Sequence, residues 1–81
     1  MSVVIMLNDR SGALAEVLKV LAAARANVLT INQGIPIHGV SNVSIFFDTQ
    51  FLILDIQTVI QNIEQLQNVK SVEVVGQKDS N

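Results

Sequence analysis

Two hydrophobic periods alternate along this chain. Val3-Val4-Ile5-Met6-Leu7 is a short apolar run closed by Asn8-Asp9, the pattern of a buried central strand. From Gly12 the period changes. Leu14, Val17, Leu18 and Leu21 stand at i, i+3, i+4 and i+7, which is one face of a helix. Ser11 or Asp9 is placed to cap the start of that helix, Arg25 to complement the dipole at its end, and Asn27 to close it. Val28-Leu29-Thr30-Ile31-Asn32 then reads as a strand, Gly34 and Pro36 restrict the backbone beyond it, and Gly39 marks a turn. Val43, Ile45 and Phe47 alternate with Asn42, Ser44, Phe46 and Asp48, giving a third strand with one buried face. Gln50–Leu54 fits either an apolar loop or an extension of that strand. Asp55 is an N-cap for a second helix, with Ile56, Val59, Ile60, Ile63 and Leu66 at helical spacing and Asn68 at its close. Val69–Val75 is a last strand with Val72 and Val74 inward, and Gln77–Asn81 is a polar tail expected to fray.

The order β-α-β-β-α-β predicts an α+β fold, the ferredoxin-like split βαβ. It implies a four-stranded antiparallel sheet in spatial order 4-1-3-2, with two helices on one face. The expectation is a single domain over residues 1–81 with its core between about 3 and 76. Strand two is then an edge, and Pro36 near its end suits one. No Asp, Glu, Lys or Arg occurs in the twenty-two residues between Arg25 and Asp48. Edge strands are commonly blunted by charge or bulges, because unpaired backbone groups invite another strand. Strand two is therefore expected to pair with its own copy about a two-fold axis, forming a homodimer or higher homo-oligomer. The alternative is an edge covered by the Gly34–Ser41 connection.

Composition narrows the function classes. The chain has 81 residues, 49% of them hydrophobic and 15% charged, which excludes a disordered segment. So small a body hides only about 60% of its unfolded surface, so some apolar side chains should lie in an interface or a ligand site. The net charge of −2 leaves no footprint for nucleic acid or an anionic membrane. There is no cysteine, and His38 is the single histidine, so neither a thiolate nor a multi-histidine metal site can form. Phe46-Phe47 is bordered by Asp48 rather than by basic residues, unlike an RNA-stacking surface. His38 has no acid or nucleophile partner in sequence and reads as a solvated loop residue. No signal-peptide pattern opens the chain and no apolar run approaches a membrane span, so a cytoplasmic protein without a cofactor is expected.

Chemistry concentrates where the first strand meets the first helix, at Asn8-Asp9-Arg10-Ser11-Gly12-Ala13-Leu14. The first N–H groups of a helix have no intrahelical partner and carry the positive end of its dipole, so a carboxylate suits them. Gly12 permits close approach, and Asp9 offers an acceptor to an ammonium group. Donors for one group and an acceptor for another suit an α-amino acid. A capped helix start with a solvated Arg10 accounts for the same spacing.

The segment Asn8–Leu14 resembles the loop that opens an ACT domain, the regulatory module of amino-acid metabolism. That family carries an acidic or amide residue, a basic residue, usually Pro, then Gly and a small-aliphatic pair. Ala26-Asn27-Val28-Leu29-Thr30-Ile31 resembles its second landmark, and the element order agrees over Val3–Gly76. Gly12-Ala13-Leu14 is similar to the G-A-L motif of phenylalanine-binding ACT domains. Their E-S-R-P motif is replaced here by Asn32-Gln33-Gly34-Ile35-Pro36. The chain is similar to small bacterial ACT-domain proteins associated with phenylalanine biosynthesis. Two positions depart from the pattern. Ser11 stands where Pro is usual, and Arg25 stands where Gly often ends the helix. A left-handed conformation would cost Arg25 about 1 kcal/mol, so a different closure of that turn is expected.

The resemblance implies a ligand held between the first loop of one subunit and strand two of its neighbour. Asp9 and the N–H groups of Gly12, Ala13 and Leu14 would hold its polar end, and Asn27 would bond it from the other subunit. Asn8, Arg10 and Ser11 would shape the loop, and Thr30 and Ile31 would line the side-chain pocket. The leading expectation is a non-catalytic amino-acid sensor acting on a metabolic enzyme. The alternatives are a chorismate mutase-type enzyme and a ligand-free dimerisation module. Chorismate carries two carboxylates, and the chain has only Arg10 and Arg25 as arginines to meet them.

Overall fold

Val3, Ile5 and Leu7 project from one side of strand β1 (Ser2–Asn8) and are sealed from water. In the computed structural model, which describes residues 1–76, that row is the centre of the core. Strand β3 (Val40–Asp48) pairs antiparallel with one side of β1, setting Val3 against Ile45 and Ile5 against Val43. Strand β4 (Val69–Gly76) pairs antiparallel with the other side, and β2 (Asn27–Gln33) joins the outer side of β3. The sheet order is β2-β3-β1-β4, the 4-1-3-2 arrangement that the hydrophobic pattern predicts. Helix α1 (Ala13–Ala23) buries Ala13, Val17 and Leu21, and helix α2 (Ile56–Glu64) buries Val59 and Ile63. Leu14 and Leu18 flank the α1 stripe half-buried. Each fully buried branched side chain of this core contributes about 1.5–3 kcal/mol. The expected tail Gln77–Asn81 lies outside the described residues. No helix among those described is long and apolar enough to cross a membrane.

The ends of the helices correct four expectations. Helix α1 stops at Ala23, and Asn27 is the first residue of β2 rather than a helix stop. Arg25 is not in the last helical turn. It lies beyond it with φ 66°, in the left-handed conformation that glycine usually supplies. The turn therefore closes in the ordinary way despite its residue. The Arg25 N–H donates to Ala22 O at 3.0 Å and the Ala26 N–H to Leu21 O at 3.0 Å, the bond pair of a Schellman motif. Ala26 is buried in the same core cluster as Leu21, and that contact offsets the strain at Arg25. Helix α2 starts as its sequence predicts: Asp55 accepts from the Thr58 N–H at 3.2 Å and from Thr58 Oγ1 at 2.7 Å. It ends at Glu64, so Leu66 packs on the core from the turn after it. Gln50–Leu54 is loop, anchored by Ile53 N–H on Ala24 O at 3.1 Å.

Removing the strain at residue 25 should stabilise the fold. Arg25→Gly is expected to raise the unfolding free energy by about 0.5–1 kcal/mol. Asp55→Ala should lower it by about 1 kcal/mol. Urea denaturation of the two variants checks both signs.

Candidate functional site

The chain leaves β1 and enters α1 within four residues, Asp9 to Gly12, and that shortness shapes the site. Arg10 N–H donates to Asn8 O at 2.8 Å, closing a three-residue turn about Asp9. Ala13 N–H donates to Arg10 O at 3.1 Å, closing a four-residue turn with Ser11 and Gly12 at its centre. Gly12 has φ 86° and ψ −7°, and Ser11 has no positive φ, which defines a type II turn. Only glycine adopts that third position without strain, and the second is the one that proline favours. The expectation that Ser11 or Asp9 caps α1 fails here. The cap position is Gly12, and no side chain bonds the helix start.

The loop is pinned on both flanks. Asn8 N–H donates to Asn68 O at 2.8 Å, and Asp9 N–H donates to Gly39 O at 2.8 Å. Gly39 belongs to the tight β2–β3 turn, where Ile37 and Val40 exchange backbone bonds across His38 and Gly39, both at positive φ. His38 is thus an exposed turn residue. Glu16 N–H is satisfied by Gly12 O, and Ala13 N–H by Arg10 O. The N–H groups of Gly12, Leu14 and Ala15 find no acceptor among the described residues.

The residues that carry those amides line a cavity of about 170 Å³. The loop contributes Asn8, Asp9, Arg10 and Gly12, and the helix start contributes Ala13, Leu14 and Ala15. The sheet contributes Leu7, Gln33 and Ser41. Six of the seven loop residues singled out from sequence are therefore assembled around one hollow, and Ser11 is not among its walls. Asp9 and Arg10 are exposed, so the rim carries one charge of each sign.

The expected contributions from strand two divide differently. Thr30 pairs with Phe46, on the open side of the sheet. Ile31 pairs with the buried Ile45, on the helix side. Neither lines the cavity. The cause is a bulge: the register shifts between Val28 and Thr30, with Leu29 as the extra residue. The helix-side row of β2 therefore runs Val28, Ile31, Gln33, and Gln33 is the residue that reaches the cavity. Asn27 pairs with Asp48 at the other end of β2, six residues from Gln33, or about 20 Å along the strand. Within one protomer Asn27 and the cavity are far apart.

Gln33 and Ser41 went unrecognised in the sequence pattern. The signal for Ser41 was present: stepping back two residues from Val43 extends the inward row Phe47, Ile45, Val43 to a serine.

A family model for the ACT domain matches residues 1–71. This chain belongs to the ACT domain family. Curated relatives carry the same label. A UPF0735 ACT domain-containing protein of Shouchella clausii is 43% identical over 72 residues, covering 89% of this chain and 49% of that protein. Another from Geobacillus kaustophilus is 44% identical over 70 residues, covering 86% of this chain and 48% of that protein. The chain thus spans about half the length of the curated relatives it matches. Among solved structures, the ACT domain from a GTP pyrophosphokinase of Chlorobium tepidum superposes with a TM-score of 0.68 at 19% identity. That match covers 89% of this chain and 91% of the other. A formyltetrahydrofolate deformylase of Pseudomonas syringae gives 0.67 at 19% identity, over 79% of this chain and 23% of that one. These likenesses show the fold. ACT domains are in general regulatory ligand-binding modules, and nothing in these comparisons points to a chorismate mutase.

The ACT loop should tolerate the proline that this chain lacks. Ser11 occupies the second turn position, and its N–H has no acceptor among the described residues. Ser11→Pro is expected to stabilise the fold by about 0.4–1 kcal/mol, read as a higher urea midpoint with unchanged slope.

Proposed function

We propose that this ACT domain is a non-catalytic sensor that binds a free amino acid at its β1–α1 loop, within a homodimer built on β2. The cavity beside unpaired helix amides carries the reading. A carboxylate suits the Gly12, Leu14 and Ala15 N–H groups, and an ammonium suits the Asp9 carboxylate. A zwitterion satisfies both, whereas a dianion such as chorismate would face a single arginine, Arg10, at the rim.

The state of β2 supports the dimer. Six of its seven residues are exposed, and none is charged. The Gly34–Ser41 connection is taken up in the β2–β3 hairpin, with Gly34 N–H on Asn42 O at 2.9 Å, rather than folded over the edge. Leu29 is 53% and Ile31 38% exposed, an apolar pair on a bare edge. Antiparallel pairing of β2 with a second copy about a two-fold axis at Thr30 would set Asn27 beside the partner's Gln33 and Leu29 beside the partner's Ile31. Asn27 would then stand next to the neighbour's cavity, which it cannot reach in its own chain. A ligand bridging two subunits stabilises the dimer by linkage, about 2.7 kcal/mol at a hundred times Kd. It alters a metabolic enzyme only if its two states bind the ligand differently.

Sedimentation at micromolar concentration should give twice the chain mass, and Ile31→Lys should give a monomer. Calorimetry against a panel of amino acids should show one site per chain, lost in Gly12→Asp and about tenfold weaker in Asn27→Ala. A dimer that binds none of them would leave only the dimerisation module.

A further inference from the structure

The inward row of β3 is Ser41, Val43, Ile45 and Phe47, and its first member breaks the chemistry of the other three. Ser41 is 1% exposed, and its Oγ has no hydrogen-bond partner among the described residues. A buried hydroxyl is ordinarily paired, because leaving it unmade forfeits its hydration without return. Alanine would fill the same space beside Leu7, its cross-strand partner, without that cost. Ser41 is also a wall of the cavity at the start of α1. Ser41, which carries the orphan hydroxyl, and Gly12, Leu14 and Ala15, which carry the orphan amides, therefore line one hollow.

We propose that Ser41 reads the ligand's side chain, and that the site selects a small amino acid ending in a hydroxyl, serine or threonine. The inference rests on the reading of this loop as an amino-acid site. The carboxylate and ammonium are met at the helix start and at Asp9, which leaves Ser41 and Gln33 facing the side chain. A hydroxyl both donates and accepts, so a ligand hydroxyl can satisfy Ser41 in either sense. An aromatic ring would leave the buried Ser41 hydroxyl against carbon, still unpaired. A site built to pair a hydroxyl discriminates strongly against the analogue lacking it.

The test is calorimetry of the full chain with L-serine, L-threonine, L-alanine and L-phenylalanine. Serine and threonine should bind roughly tenfold or more tightly than alanine. Ser41→Ala should erase that preference by weakening serine while leaving alanine unchanged. The unliganded Ser41→Ala protein should melt no lower than the parent, because it loses only an unpaired hydroxyl, and serine should no longer raise its Tm. Phenylalanine binding ahead of serine, or serine affinity untouched in Ser41→Ala, would overturn the assignment while the amino-acid site itself stood. No heat with any of the four would overturn both.

Discussion

The chain must turn from the central strand into α1 within four residues, and the character of the molecule stems from that constraint. The strand supplies Leu7 to the core, and the helix must deliver Ala13 and Val17 to the same core almost at once. A type II turn with Gly12 in the left-handed region makes the reversal. The open donors at the cavity are those that any helix start leaves unpaired, and no side chain caps them here. The bonds from Asn8 to Asn68 and from Asp9 to Gly39 hold the turn to α2–β4 on one flank and to the β2–β3 hairpin on the other.

The order of elements was legible because each helix buries one clean stripe and each central strand one clean row. Val17 and Leu21, Val59 and Ile63, Val43 and Ile45 all sit where their spacing predicts. The ends of elements were less legible, because tertiary contacts decide them. Arg25 takes a glycine's conformation since Ala26 must reach the core beside Leu21, a requirement invisible in the identity of residue 25 alone. The absence of a side-chain cap on α1 has the same origin: the turn geometry leaves the cap position to Gly12.

The candidate site was legible at its loop and illegible at its sheet. Asn8 through Leu14 are neighbours in sequence, so local spacing found nearly all of them. Gln33 and Ser41 come from two other strands, and only the three-dimensional register brings them to the loop. Thr30 and Ile31 face opposite sides of the sheet for a sharper reason. Strict alternation from Val28 would put Thr30 on the helix side, and the extra residue at Leu29 reverses that parity.

That irregularity also governs which genetic changes strand β2 can absorb. A substitution alters one position and leaves the rest facing as before. A deletion of one residue between Thr30 and Gln33 would swap the two faces for the rest of the strand, presenting amides where isoleucine stood and emptying the cavity of its glutamine. Over descent, this segment should drift in identity far more freely than in length.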